Sequence, residues 1–181
     1  MDCHEILKNL ALHPDHVRTV SESFDKHRPL YHNEEHCQHV AMNAYKIGVE
    51  AKLEPIELKH VFLAALYHDA AHLQNENDDI NVISSAAWYQ AYAPRDTLLR
   101  RAYVNHLILS SSVRNKNWRN KLEAILHDAD IAQIVCLPTY DEQTRWSVLL
   151  SEEMNISVTP ESSRRFFEEK ALTKEARRVF A

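Results

Sequence analysis

The chain has 181 residues, 45% of them hydrophobic, and a formal net charge of -5 at pH 7. That length and apolar fraction suit one domain with one sizeable core and exclude a disordered chain. The acidic balance argues against a protein that coats nucleic acid or lies on an anionic membrane, while leaving room for a small phosphorylated ligand held by one or two local arginines. Cys3, Cys37 and Cys136 form an odd, scattered set without C-x-x-C spacing, which reads as reduced thiols. The first residues lack a basic-then-apolar signal pattern and no run is long and apolar enough to span a bilayer, so the expected location is cytoplasmic. The single glycine, Gly48, speaks against a chain rich in β-hairpins.

Apolar spacing predicts helices almost throughout, hence an all-α fold. A short helix is expected over residues 5–12, broken by Pro14, and a second over 15–26; Pro29 then holds an extended link. The third runs from Asn33, a good N-cap, to Lys52, with His36, Val40, Ala44, Ile47 and Ala51 as its buried stripe. His39, Asn43, Lys46 and Glu50 share a polar face. Pro55 opens a fourth helix, uncharged over residues 61–67 and therefore central, which extends to the polar run 74–79. Further helices are expected over 79–93, 95–110 and 118–136, the last stopped by Pro138. Two or three amphipathic helices fill 140–180, separated near 155–160.

Twelve histidines are present, most of them expected at the surface or satisfied in the core. His4, His13, His16, His39 and His60 read as surface residues, and Trp88, Trp118 and Trp146 as core or interface aromatics. The informative histidines are those on apolar faces. His68, Asp69 and His72 sit in an otherwise apolar segment, where a buried aspartate must be paired or metal-bound. His68 and His72, four apart, are expected on one helix face. His36 lies on the inward stripe of the third helix, with His32 just outside its cap. Asp130 faces inward between Leu126 and Ile134, and Asp128 points elsewhere. The segment from His32 to His36 is not the H-E-x-x-H of zinc proteases, because its glutamates occupy the wrong positions. Two histidines and two aspartates form a mixed nitrogen and oxygen set suited to Mn, Fe, Co, Ni, Zn or Mg.

The order His36, His68-Asp69, Asp130 resembles the H…HD…D signature of the HD-domain superfamily of metal-dependent phosphohydrolases. Tyr31-His32-Asn33-x-x-His36 and His68-Asp69-x-x-His72 are similar to motifs of the cyclic-nucleotide phosphodiesterases within it. Asp128-Ala129-Asp130-Ile131, with Arg28 before Tyr31 and tyrosine near 140, resembles a group of small bacterial HD phosphohydrolases. The resemblance covers roughly residues 25–150 and implies a single HD domain over 1–181, with C-terminal helices 140–181 packed on that core.

Carried over, the resemblance implies that His36, His68, Asp69 and Asp130 bind a divalent metal, with Asp69 able to bridge to a second ion. His32 would be the general acid at the leaving oxygen, and His72 would contact substrate, metal-bound water or a second metal. Arg28, Tyr31 and Arg114 are the candidate substrate contacts, and Glu76 a candidate support residue behind the ligands. Only His106 lies between His72 and His127, whereas two-metal members usually add two histidines there, so one metal site is expected. Arg114 stands where a histidine is common in the small bacterial group. The implied activity is hydrolysis of a small phosphoester such as a nucleotide, and a homodimer is the candidate assembly. Two alternatives stay open: a non-catalytic metal- and nucleotide-binding regulatory domain, and a di-iron oxygenase.

Overall fold

In the computed structural model, residues 1–24, 29–73, 77–95, 97–112 and 118–180 are described, and every regular element among them is a helix. In chain order these are α1 (Cys3–Asn9), α2 (Asp15–Ser23), α3 (Glu34–Glu50), α4 (Pro55–Tyr67), α5 (Asp78–Tyr92), α6 (Leu98–Ser110), α7 (Lys121–Ile131), α8 (Tyr140–Met154), α9 (Pro160–Lys170) and α10 (Lys174–Val179). The all-α expectation holds. Among the described residues no helix is long and apolar enough to cross a membrane.

Side chains set most of the helix starts. Asn33, Asn77, Thr97, Asn120, Thr139, Thr159 and Thr173 each accept a first-turn backbone N–H of the helix that follows. Thr97 in this role starts α6 at Leu98 rather than at the expected Arg95. The ends are managed without glycine: Ala11, Lys52 and Asn155 take the left-handed conformation, with φ of 48°, 52° and 52°. After α3, Lys52 N–H donates to Val49 O at 3.0 Å and Leu53 N–H to Gly48 O at 3.0 Å, closing the helix in a paired reverse turn. Gly48 itself serves packing, since a Cβ there would lie 2.7 Å from Leu58 Cδ2.

That turn makes α3 and α4 an antiparallel hairpin, the most extensive helix pair in the fold. The start of α3 and the end of α4 are thereby brought side by side. Residues 61–67 of α4 are all buried, and α6 and α7 pack on the same helix. The predicted α3 stripe is buried as expected, but Asn43 of the supposed polar face is buried too. Because α7 covers that side, the Asn43 amide donates to Ala129 O at 3.3 Å. His16, expected at the surface, is also buried, its Nδ1 lying 3.0 Å from the Tyr67 hydroxyl.

Two helices end earlier than their patterns suggest. α4 stops at Tyr67, and residues 68–71 continue as turns in which Ala70 N–H donates to Tyr67 O and His72 N–H to Asp69 O. α7 stops at Ile131, after which turns bonded to the third or fourth residue back carry the chain to Leu137. Ile134 stays inward and joins Tyr31, Leu137 and Trp146 in a small second core.

Asp128 ties the C-terminal segment to α7. Its carboxylate is fully buried and accepts Leu172 N–H, Thr173 N–H and the Thr173 hydroxyl, each at 2.7 Å. Removing this charged acceptor strands two backbone donors in the interior. Asp128→Ala is therefore expected to lower stability by about 3 kcal/mol or more in urea unfolding. At the exposed Lys52, by contrast, Gly relieves left-handed strain, and Lys52→Gly is expected to raise stability by up to about 1 kcal/mol in the same assay.

Candidate metal centre

Four side chains from three places in the fold meet at the open end of the α3–α4 hairpin, opposite its connecting turn. His36 sits in the first turn of α3, where the Asn33 side chain accepts its backbone N–H at 3.1 Å. His68 caps the end of α4, Asp69 follows in the turn, and Asp130 comes from the last turn of α7. His36 Nε2 lies 3.2 Å from His68 Nε2, 3.4 Å from Asp69 Oδ2 and 3.4 Å from Asp130 Oδ1. His68 Nε2 lies 3.1 Å from Asp69 Oδ2 and 3.6 Å from Asp130 Oδ1.

The spacings fit a cation at His36, His68 and Asp130, whose ligand atoms lie within 4.8 Å of one another, and Asp69 Oδ2 stands beside both histidines. Ligands held at roughly 2.0–2.2 Å around one ion are separated by roughly 3.0 Å in octahedral and 3.4 Å in tetrahedral arrangement. The His68 tautomer agrees: its Nδ1 lies 2.7 Å from Ala65 O, so it carries the hydrogen and leaves Nε2 as a lone pair. Two buried imidazole nitrogens this close, facing two carboxylates, require a proton or a cation among them. Burial by itself would push the His68 imidazole down, yet Asp69 and Asp130 outweigh it and hold His68 well above its ordinary range. The same balance raises His36. Burial pushes both carboxyls up, but the two histidines hold Asp69 well below and Asp130 below the usual carboxylate range. Asp130 is the most open of the four, its side chain 36% exposed.

The turn after α4 decides where Asp69 and His72 go. In an α-helix, residues four apart diverge by roughly 40°; in a turn closed by bonds to the third residue back they diverge by roughly 120°. His72 is thus swung away from His68, and Asp69, three residues before it, faces it with Oδ1 3.7 Å from His72 Nδ1. The expectation that His68 and His72 share one helix face is corrected accordingly.

His72 instead joins His32 and Glu153. The rings of His32 and His72 stack with centroids 4.2 Å apart and planes 8° from parallel. Glu153 Oε1 contacts His32 Nδ1 and lies 3.8 Å from His72 Nε2, and the Glu153 side chain is only 2% exposed. The three offer ligand atoms within 4.8 Å of one another. Imidazole lone pairs lie in the ring plane, however, and two nearly parallel planes this far apart share no point for one ion. Tyr31 completes the surroundings of this group: it is buried, packs on both His32 and His36, and donates its hydroxyl hydrogen to Gln133 Oε1 at 2.8 Å.

Arg28, Arg114 and Glu76 lie outside the described residues. His106 pairs with the buried Glu123 at 3.2 Å and is otherwise half exposed. Glu153 was not anticipated, although a signal existed: Trp146, Leu150 and Glu153 share one face of α8, and an acid on that inward face calls for a partner. No protein-family model matches the chain, and no curated protein matches it.

Protein purified without chelator is expected to carry about one divalent ion per chain at this cluster, and Asp69→Ala to lose it, as read by elemental analysis. The metal-free protein has its own pH signature. A raised His68 contributes stability fully present below its ordinary value of 6.5 and lost as pH rises through the folded value. The lowered Asp69 and Asp130 contribute above their ordinary 3.8 and lose this only as pH falls through still lower values. After chelation the melting temperature is therefore expected to be higher at about pH 6 than at about pH 8, and added metal to remove that difference.

Proposed function

We propose that this protein is a metal-dependent phosphohydrolase of the HD type, acting on a small phosphoester. The observation that supports it most is the convergence of His36, His68 and Asp130 at ligand spacing, with Asp69 against both histidines, beside a stacked histidine pair backed by a buried carboxylate. The first four residues would hold the ion. When bound, it acidifies a water molecule and neutralises charge on the phosphoryl oxygens.

The remaining groups serve the leaving oxygen. His32 is partly open, its side chain 18% exposed, and Glu153 engages its Nδ1. That leaves the other ring nitrogen to give a proton to the departing alcohol, while the Glu153 carboxylate stabilises the charged imidazole. His72 fixes the plane of the His32 ring by stacking and spans the distance to Asp69. Tyr31, whose hydroxyl is raised well above its ordinary value by burial and by Asp130, stays protonated and acts as a wall. A nucleotide is the substrate that the motif resemblance suggests first. The pairing of His106 with Glu123 gives no support to a dinuclear oxygenase.

Metal-replete protein is expected to release inorganic phosphate or the free alcohol from a small phosphoester, and chelation to abolish this. His32→Ala is expected to lower kcat by roughly 10²–10⁴ while metal content is retained. Activity that persists both after chelation and in His68→Ala overturns the proposal.

A further inference from the structure

A cavity of about 380 Å³ opens beside the cluster. Asp130 and His32 belong both to its lining and to the candidate site. The rest of its wall is largely aliphatic and aromatic, with Ile134, Leu150, Ile156, Val158 and Phe166. Two of these, Ile156 at 55% and Phe166 at 50% exposure, present large apolar surface to solvent at the site. Ser163 also lines the cavity, and its buried hydroxyl oxygen has no hydrogen-bond partner.

We propose that this cavity receives the alcohol portion of the substrate, and that the substrate is a one-phosphate ester of an apolar aromatic or branched aliphatic alcohol. The proposal rests on the phosphohydrolase reading above and specifies its substrate class. Continuity carries the first step: a group bonded to a phosphorus atom at the cluster enters this space past His32, the proton donor to its oxygen. Charge carries the second. The described lining contains no lysine or arginine, and Asp130 is its one carboxylate. A polyphosphate chain there would be desolvated against an aliphatic and aromatic wall that offers no cation among the described residues, whereas an apolar body loses nothing by leaving water. Size carries the third, because the volume lies at the small end for ligand sites. Ser163 adds a single hydrogen bond for a polar substituent on that body.

The test uses metal-loaded full-length protein with methyl phosphate, 1-naphthyl phosphate and ATP. It adds calorimetric titration with the non-hydrolysable methylphosphonate and 1-naphthylmethylphosphonate. Wild type is expected to favour 1-naphthyl over methyl phosphate by at least about tenfold in kcat/KM and to leave ATP almost untouched. Phe166→Ala, at a half-exposed position whose folding is checked by its melting temperature and metal content, is expected to shrink that preference severalfold through KM. Turnover with no such preference, or with ATP preferred, overturns the proposal. If no ester is hydrolysed, the titrations decide separately. Tighter binding of the naphthyl phosphonate, weakened by Phe166→Ala, upholds the cavity assignment while the hydrolase reading falls. Equal affinities for both phosphonates overturn the assignment.

Discussion

Two imidazole nitrogens held 3.2 Å apart in the interior, with carboxylates on either side, impose an electrostatic condition that the surrounding helices must satisfy. Neither a bare pair of lone pairs nor a bare pair of carboxylates is tolerable at that depth, so positive charge must be shared among all four groups. The hairpin of α3 and α4 fixes the two histidines, and α7, laid across both, supplies the second carboxylate. The uncharged stretch at residues 61–67 follows from the same condition. A helix that ends in a buried charge cluster has no direction in which to face water, and its sides are covered by α3, α6 and α7.

The turn at residues 68–71 is the smallest change with the largest effect. By ending α4 at Tyr67, it gives one aspartate two faces: Oδ2 toward His36 and His68, Oδ1 toward His72. The cluster and the stacked pair are thus joined through a single side chain. Asp128 and Asp130 show a related economy on α7. One carboxylate is spent on Leu172 and Thr173, the other on the histidines, and their positions two residues apart send them to opposite sides of the helix.

The order His36, His68-Asp69, Asp130 was legible in the sequence because each residue interrupts an apolar pattern, and such interruptions in a core demand partners. The C-terminal third was read as two or three helices; the structure has three, started by the Thr139, Thr159 and Thr173 caps. What periodicity could not convey was the early end of α4. Nothing in residues 67–72 differs from helix in composition, and the tighter winding comes from tertiary bonds, such as Ala71 N–H to the Ser85 hydroxyl and Leu73 N–H to Asn81 Oδ1. The burial of Asn43 and His16 was equally hidden, since each depends on which helix covers a face. Glu153 lay in a segment where no motif directed attention, and only packing brings it to His32.

Chain order separates the parts of this site in another sense. Asp130 is the last of the four clustered residues, and Glu153 and the apolar wall at 150–166 come after it. A ribosome therefore delivers the complete quartet of histidines and aspartates before the carboxylate that backs His32 and before most of the apolar wall of the cavity. Where the emerging helices pack as they are made, the quartet is assembled while its His32 side is still uncovered, and α8 and α9 are added afterwards. For the ion proposed above, loading during synthesis and exchange in the finished protein would be two different kinetic problems.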